Sequence, residues 1–499
     1  PETLRASLNL DVRTGHDVTA IDTAAKAVTV ASTSGVEDLS YDALILAPGA
    51  VAIRPPLPGL DSPRVRTLRT VADAVTLKKW VDDGATRGVV LGAGFIGLEA
   101  AEALRHRGLE VDVVELAPHV LPPLEREMAS VVTTQLRNLG IRVHAGVAAE
   151  SVEVGDDEDV VVLADGTRIP TDLVVLSVGV RPDTAFVETA GIETARGAIV
   201  VDDRGRTSAE GVWAAGDAVI STDAVTGVQR PVPLAGPANR AGRLIADDIF
   251  GMAGGRPIPQ PVGTAIVRVG EITAAMTGAN RASLDAAGID YTTIHLHPMQ
   301  HAGYFPGAST VHLIVHVSTG DGRVLGAQAV GYEGVDKRID VLATAIRAGL
   351  PATDLMDLDL AYSPPYGQAK DAVNLVGMVA ENVENGRLKL WYADELDQMR
   401  ESALILDVRT PREYSSGHIE GSLNIPHTEL RERIDEVREA AQGRPIAALC
   451  AAGVRSNIAY RILVGNGFDA FSLSGGTQTL RQWWGDQAAS ILVREEVHA

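Results

Sequence analysis

Cys450 is the single cysteine among 499 residues, and it opens the run Cys450-Ala451-Ala452-Gly453-Val454-Arg455-Ser456 between an apolar strand-like segment and a helix-like one. A thiol at the mouth of a strand-to-helix loop faces several backbone N–H groups and the positive end of the helix, which favour the thiolate and any anion built on it. Arg455 adds a fixed positive charge nearby. A buried structural cysteine is the plainer alternative, since free cysteine is among the most buried residue types; the loop and Arg455 favour a nucleophile. A second constellation, Gly92-Ala93-Gly94-Phe95-Ile96-Gly97, follows the strand-like Val89-Val90-Leu91 and opens a helical stretch from Phe95 to His106. Glu115 closes the next strand, 23 residues after Gly92. Glycines so placed let a pyrophosphate approach the backbone at a helix N-terminus, while the acidic side chain accepts hydrogen bonds from an adenosine ribose diol. Glu115 repels a 2′-phosphate, and Leu116-Ala117-Pro118-His119 holds no arginine or lysine to receive one. NADH is therefore favoured, with NADPH as the alternative.

These residues need elements to hold them. Strand-like and helical runs alternate through the first half, which argues for parallel sheets with crossover helices. The segment Arg256-Pro257-Ile258-Pro259-Gln260-Pro261-Val262-Gly263 breaks the pattern and marks a boundary. Beyond it, short alternating segments at Thr264 to Val269, Val311 to Val317 and Val324 to Val330 precede a helical stretch, Val335 to Ala348, and read as an α+β unit. The polar run Glu381-Asn382-Val383-Glu384-Asn385-Gly386 leads into the last domain. A net charge of −21 disfavours nucleic acid and anionic membrane surfaces as partners. No apolar run approaches the roughly 20 residues of a membrane-spanning helix. One cysteine excludes an intrachain disulfide framework and fits a reducing cytoplasm; no metal site is assigned.

The C-terminal pattern joins Leu406-Asp407-Val408-Arg409-Thr410-Pro411-Arg412-Glu413-Tyr414 to Gly417-His418-Ile419-Glu420-Gly421, Asn424-Ile425-Pro426 and the Cys450 loop. It resembles the rhodanese sulfurtransferase domain. The resemblance implies a persulfide on Cys450 cradled by the loop amides, because the six residues from Cys450 to Arg455 resemble the sulfur-sized loop of that family rather than the longer phosphatase loop. Ala451 and Ala452 carry no charge where some relatives are basic, so a polysulfide or thiol-bound persulfide competes with thiosulfate as donor.

Residues 1–385 resemble the flavin-dependent pyridine nucleotide-disulfide oxidoreductases, in the branch of coenzyme A disulfide reductases and NADH oxidases. Ala47 and Gly49, within Tyr41-Asp42-Ala43-Leu44-Ile45-Leu46-Ala47-Pro48-Gly49-Ala50, resemble the strand and turn that return to the flavin. Gly216 and Asp217, after Val212-Trp213-Ala214-Ala215, resemble the motif that holds the ribityl chain. Leu234 and Ala235 resemble the helix start aimed at the flavin pyrimidine edge, where a dipole stabilises the anionic reduced ring. Phe95 is either an aromatic gate over the nicotinamide pocket or a helix core residue. Tyr304 and Tyr362 match two tyrosines that approach the redox cysteine of the partner subunit, or pack at a dimer interface; a phenol there can donate to a leaving thiolate. The initial strand with its flavin GxGxxG, and the redox cysteine a few dozen residues later, precede the segment that residues 1–30 resemble, so the chain reads as an N-terminally truncated copy.

The expected architecture is α/β: two interleaved Rossmann-like FAD and NAD(P) domains, an α+β dimerisation domain and an α/β rhodanese domain. Their expected spans are 1–72 (partial) and 183–258 for FAD, 73–182 for NAD(P), 259–385 for the dimer contact and 388–499 for the rhodanese. The expected activity is a homodimeric, FAD-dependent NADH reductase of coenzyme A disulfide, coenzyme A persulfide or polysulfide, coupled to sulfane-sulfur transfer at Cys450. An NADH oxidase or peroxidase, and a flavin-free sulfur-carrier or redox-responsive binding protein, are the alternatives.

Overall fold

The computed structural model describes residues 2–494, and the chain divides into two compact units, Pro1–Ile53 with Gly179–Gly263, and Arg54–Val178 with Thr264–Ala499. The chain crosses between units at 53–54 and 178–179, whereas the sequence pattern set these boundaries at 72–73 and 182–183. The physical reason is pairing: Val65–Thr67 hydrogen-bonds in parallel to Leu173–Leu176 and so belongs to the nucleotide sheet, while Val180–Pro182 pairs antiparallel with Ala50–Ala52.

In the first unit, a three-stranded antiparallel meander, His16–Asp22, Ala27–Ser32 and Gly35–Ser40, precedes the parallel pair of Leu44–Leu46 and Val212–Ala214. The helix Ala235–Ile249 lays Ala241 and Ile245 against Ala215.

The second unit is built on three five-stranded sheets, with a three-stranded antiparallel sheet, Ala149–Glu153, Asp159–Leu163 and Arg168–Thr171, and the short pair His418–Ile419 and Leu492–Val493 beside them. The nucleotide sheet runs Val65–Thr67, Leu173–Leu176, Arg87–Leu91, Glu110–Glu115, Ile141–Ala145, all parallel. Its central strands are buried on both faces, which explains their unbroken apolar composition. Helix α1 (Phe95–His106) buries Gly97, Leu98, Ala100, Ala101 and Leu104 on one stripe, and α2 (Arg126–Asn138) buries Met128, Ala129, Val132 and Leu136. Each Leu or Val so buried contributes about 1.5–3 kcal/mol relative to exposure.

The α+β domain is an antiparallel sheet in the order Ala265–Val269, Ile272–Gly278, Val324–Gly331, Val311–Ser318, Tyr291–Leu296. The strands at 272–278 and 291–296 add to the three the sequence pattern suggested. One face packs on α4 (Val335–Ala348) and α5 (Ala372–Glu384), and a short helix α3 (Arg281–Ala287) follows the second strand. The other face, through Ile314 and Val330, shares a core with α1 and α2. Alternation along each strand therefore sends successive side chains into two different cores.

The last domain is a parallel sheet, Leu390–Trp391, Ala470–Leu473, Ile446–Leu449, Leu404–Asp407, Leu423–Asn424. Its helices include α6 (Pro411–Ser415), α7 (Val454–Gly465) and α8 (Gly476–Trp484). Trp391, fully buried, donates its indole N–H to Ala448 O at 3.1 Å and braces the strand that leads to Cys450.

This domain docks through α8. Arg137 binds both Asp486 oxygens at 2.6 and 2.9 Å, and the Arg126 and Arg281 guanidinium groups lie 5.6 and 5.7 Å from the Trp483 ring, within cation–π range. Gln482 donates to His312 Nδ1 at 3.0 Å, and His297 Nδ1 lies 2.8 Å from the same atom. Burial pushes His312 down from 6.5 to about 4. A histidine with a depressed folded pKa contributes its full stability above the unfolded value and loses it as pH falls through the folded one. The contribution of His312 should therefore be complete above about pH 6.5 and fade toward pH 4. Unfolding temperatures measured across this window should fall more steeply for the wild type than for His312→Asn, which keeps a polar atom near Nδ1 and cannot take the proton.

Candidate functional site

The central strand Ile446–Leu449 delivers Cys450 to the sheet edge, and Gly453, at φ 96°, turns the chain into α7. No side chain caps this helix, so its first amides stay available to the loop. Cys450 is 1% exposed and packs in a core, as the structural reading expected, yet its Sγ accepts the Gly453 N–H at 3.2 Å, as the nucleophile reading expected. Ser456 Oγ lies 3.5 Å from Sγ and accepts the Ser472 hydroxyl at 2.9 Å. These two serines had no role assigned by sequence; the signal for Ser456 was its place one turn into the helix that follows the thiol.

Arg455, the fixed positive charge expected near the thiol, is ion-paired. Its guanidinium is held by both Glu413 oxygens at 2.7 and 2.6 Å, so its charge is compensated rather than standing free beside the sulfur. Glu413 is itself fixed by the capping box of α6, taking the Thr410 hydroxyl at 2.8 Å and the Thr410 N–H at 3.1 Å. The Arg455 hydrogen bond holds the Glu413 carboxyl down to about 2. Upstream, Asp407 and Arg409 form a buried pair, and Arg409 also binds Gly417 O at 2.9 Å. Asn424 donates to Asp407 O and Arg409 O at 2.9 and 3.0 Å. The Asp407-Val408-Arg409 pattern thus builds the frame that presents Glu413.

The nucleotide turn is a cradle for backbone approach. Gly92 adopts φ 100°, and a Cβ there would meet Ser177 O at 2.3 Å; at Gly97 it would meet Gly92 O at 2.0 Å. Gly94, the uncapped N-cap of α1, has open space where its side chain would be. Glu115 accepts the Ala93 N–H at 2.7 Å and the Ala117 N–H at 2.8 Å, which fixes its carboxylate at the mouth of the turn with lone pairs to spare. These residues fit a dinucleotide. Phe95 packs half-buried against the α1 core, in keeping with its core reading.

The tyrosines are brought together. Tyr304 and Tyr362 share a hydrogen bond that raises the Tyr362 pKa, and both are exposed. Arg338 of α4, buried, reaches both of their loops: it donates to Gln300 O at 2.7 Å and to both Asp371 oxygens at 3.2 and 2.6 Å. Asp371 in turn caps α5. Arg338 was not singled out by sequence, since a lone arginine in an amphipathic helix carries no pattern.

In the first unit, Ala47 and Gly49 (φ 72°) follow the strand Leu44–Leu46, and Gly216 (φ 82°) and Asp217 form a 3₁₀ turn after Val212–Ala214. Leu234 is the N-cap of the helix that begins at Ala235, with no side-chain cap on its amides. These residues fit the ring and ribityl end of a flavin. Among the described residues, the sequence from Gly92 to Gly97 is the one GxGxxG turn.

Gly92→Ala should weaken NADH binding roughly tenfold or more, because the added methyl and the forced φ both close the turn. Isothermal titration with NADH, alongside an unchanged far-UV circular dichroism spectrum, checks it.

Three family matches cover this geometry: pyridine nucleotide-disulphide oxidoreductase over residues 2–242, its dimerisation domain over 264–373, and the rhodanese-like domain over 392–482. A coenzyme A disulfide reductase from Staphylococcus haemolyticus (strain JCSC1435) is 34% identical over 391 residues, covering 77% of this chain and 86% of that protein. The crystal structure of reduced Bacillus anthracis CoADR-RHD matches with a TM-score of 0.95 at 36% identity, over 99% of this chain and 88% of that one. The structure of a NAD-dependent persulfide reductase from A. fulgidus matches with a TM-score of 0.89 at 39% identity, over 96% and 87%. Membership implies a flavin and NAD(H). The chain belongs to the pyridine nucleotide-disulphide oxidoreductase family and carries a C-terminal rhodanese-like domain.

Proposed function

We propose that this chain acts in a homodimeric, NADH-consuming reductase of thiol-bound persulfide or coenzyme A disulfide, with Cys450 as the carrier of sulfane sulfur. The observation that carries the reading is the sulfur loop itself: the Gly453 amide and the Ser456 hydroxyl meet Sγ at 3.2 and 3.5 Å, while Glu413 cancels the Arg455 charge. A site so balanced suits a neutral or singly charged sulfur donor better than dianionic thiosulfate. The similarity to a coenzyme A disulfide reductase and to a NAD-dependent persulfide reductase supports it further.

In the sulfur step the Cys450 thiolate attacks the outer sulfur of R–S–SH. A new S–S bond forms on Cys450 as the donor S–S bond breaks, and the leaving RS⁻ takes the proton, so Cys–SH and R–S–SH become Cys–S–SH and RSH. The loop amides hold the negative charge of the attacking thiolate and then of the persulfide. At the other site Glu115 binds the adenosine ribose and selects NADH over NADPH. FAD, as the flavin, supplies the two-electron passage between nicotinamide and a thiol or disulfide. Tyr304 and Tyr362 donate a hydrogen bond to a departing thiolate, and residues 264–373, matched by the dimerisation-domain family, make the dimer contact. No described helix is long and apolar enough to cross a membrane; a reducing cytoplasm is where a free carrier thiol would persist.

Cys450→Ser should abolish sulfane-sulfur transfer, read as thiocyanate formed from cyanide, and leave the NADH dissociation constant unchanged; retained transfer would overturn the assignment. Glu115→Arg should move the affinity ratio of NADPH to NADH upward by roughly tenfold, since one diol acceptor becomes a phosphate partner. Titration with both nucleotides checks it, and an unmoved ratio would remove Glu115 from the site.

A further inference from the structure

We propose that His295 and His297, which lie on the dimerisation domain, are positioning residues for the sulfur loop of the rhodanese-like domain. This rests on the sulfur-transfer reading of Cys450 and extends it to residues of another domain.

The loop is held from beneath by the start of α8. Thr477 N–H donates to Cys450 O at 2.8 Å and Gln478 N–H to Ala451 O at 3.1 Å. Contact is tight enough that a Cβ on Gly476 would lie 2.4 Å from Cys450 O. The carbonyls that orient the loop peptides, and with them the amides that face Sγ, are therefore set by where α8 begins.

That point is set in turn from outside the domain. His295 N–H donates to Ser474 Oγ at 3.1 Å, and the Ser474 hydroxyl lies 2.8 Å from His295 Nδ1. Thr479 Oγ1 lies 2.8 Å from His297 Nε2. Between them, a Cβ on Gly475 would meet His295 Cβ at 2.8 Å and His297 Nε2 at 2.9 Å, so the backbone is pressed directly on both histidines. Neighbours assign the tautomers. His295 Nε2 lies 2.9 Å from Glu127 Oε1 and 3.1 Å from the Arg281 guanidinium; with its proton directed to the carboxylate, the stronger acceptor, Nδ1 is left to accept from the Ser474 hydroxyl, whose other neighbour, Thr293 O, is farther at 3.5 Å. With the Gln482 amide nitrogen 3.0 Å from His312 Nδ1, that ring nitrogen is unprotonated, so the 2.8 Å contact between the two Nδ1 atoms places the proton on His297 Nδ1 and leaves His297 Nε2 to accept from Thr479. Both histidines, 5% and 9% exposed, present a fixed acceptor to a hydroxyl on the segment that carries the loop.

Full-length variants test this by thiocyanate formation with a glutathione persulfide donor and by the pH–rate profile of Cys450 alkylation with iodoacetamide, Cys450 being the chain's one thiol. His297→Leu and Thr479→Val should lower kcat roughly tenfold or more with an unchanged KM, and shift the alkylation profile to higher pH, because misplacing a reacting group by a fraction of an ångström costs about that much. His297→Gln, which returns an acceptor at the Nε2 position, and His295→Asn, which returns one at Nδ1, should restore most of the rate. Wild-type kinetics in His297→Leu and Thr479→Val would overturn the proposal. Equal losses in His297→Leu and His297→Gln would also overturn it, since shape and not the acceptor would then matter. Cys450→Ser serves as the separate control: activity surviving there would sink the sulfur-transfer reading rather than the positioning role.

Discussion

Glu127 is a carboxylate with no accessible surface, and a charge in that position has to be compensated within bonding distance or given up. Burial pushes its carboxyl up, but the His295 hydrogen bond and the Arg281 charge outweigh burial and hold it below the ordinary carboxylate range. Arg281 binds it at 2.6 Å and also reaches Glu125 at 3.1 Å. Glu125 meets His316 at 3.1 Å, and its N–H donates to the Gln328 side chain at 2.6 Å. Stripping one partner from such a pair costs about 3–5 kcal/mol, because the survivor stays buried and unpaired. The start of α2, the start of α3 and the strand Tyr291–Leu296 are consequently held in one arrangement by one buried charge. Three domains of the second unit share that arrangement, since His295 passes it to Ser474.

The nucleotide turn and the sulfur loop use one device at two scales. Each ends a parallel strand, turns through a left-handed glycine and starts a helix whose first amides lack a side-chain cap. What differs is the room above the turn. Space at Gly94 is open, whereas the sulfur loop is closed from below by α8 and leaves Sγ buried beside the Gly453 amide. Charge follows the same division. Glu115 stands at the open turn as an anion bound by two amides and ready for a diol, while Glu413 at the closed loop neutralises the nearest cation. On the proposed function, the first arrangement suits a hydroxyl-rich ligand and the second keeps excess positive charge away from a small sulfur species.

The two exposed tyrosines depend on a further buried pair. Arg338 and Asp371 are almost fully enclosed, and through them the loops that carry Tyr304 and Tyr362 come off one polar anchor between α4 and α5. An arginine that spends its donors on a backbone carbonyl and a capping carboxylate stiffens surface loops without adding apolar contacts. That rigidity is what lets two solvent-facing phenols keep a mutual hydrogen bond.

Local pattern determined a large part of this protein. The GxGxxG turn and Glu115, the strand-to-helix placement of Cys450, and the helices Phe95–His106 and Val335–Ala348 were legible because each follows from spacing along the chain: glycine where backbone must approach, apolar residues at 3.6 or 2.0 periodicity, an acid at a strand end. The short strands at 272–278 and 291–296 were not picked out, since brief runs rich in alanine, threonine and histidine give weak alternation. Tertiary structure alone decided the rest. Arg455 reads from sequence as a fixed positive charge near the thiol, and its ion pair was not legible there, because Glu413 lies 42 residues away and only the fold of α6 brings it within bonding distance. Likewise His295, on the strand Tyr291–Leu296, and His297, just beyond its end, meet Ser474 and Thr479 about 180 residues later. Sequence periodicity records which face of an element is buried; it does not record which distant polar group waits there, and it is those pairings that set charge, tautomer and the position of the reactive sulfur.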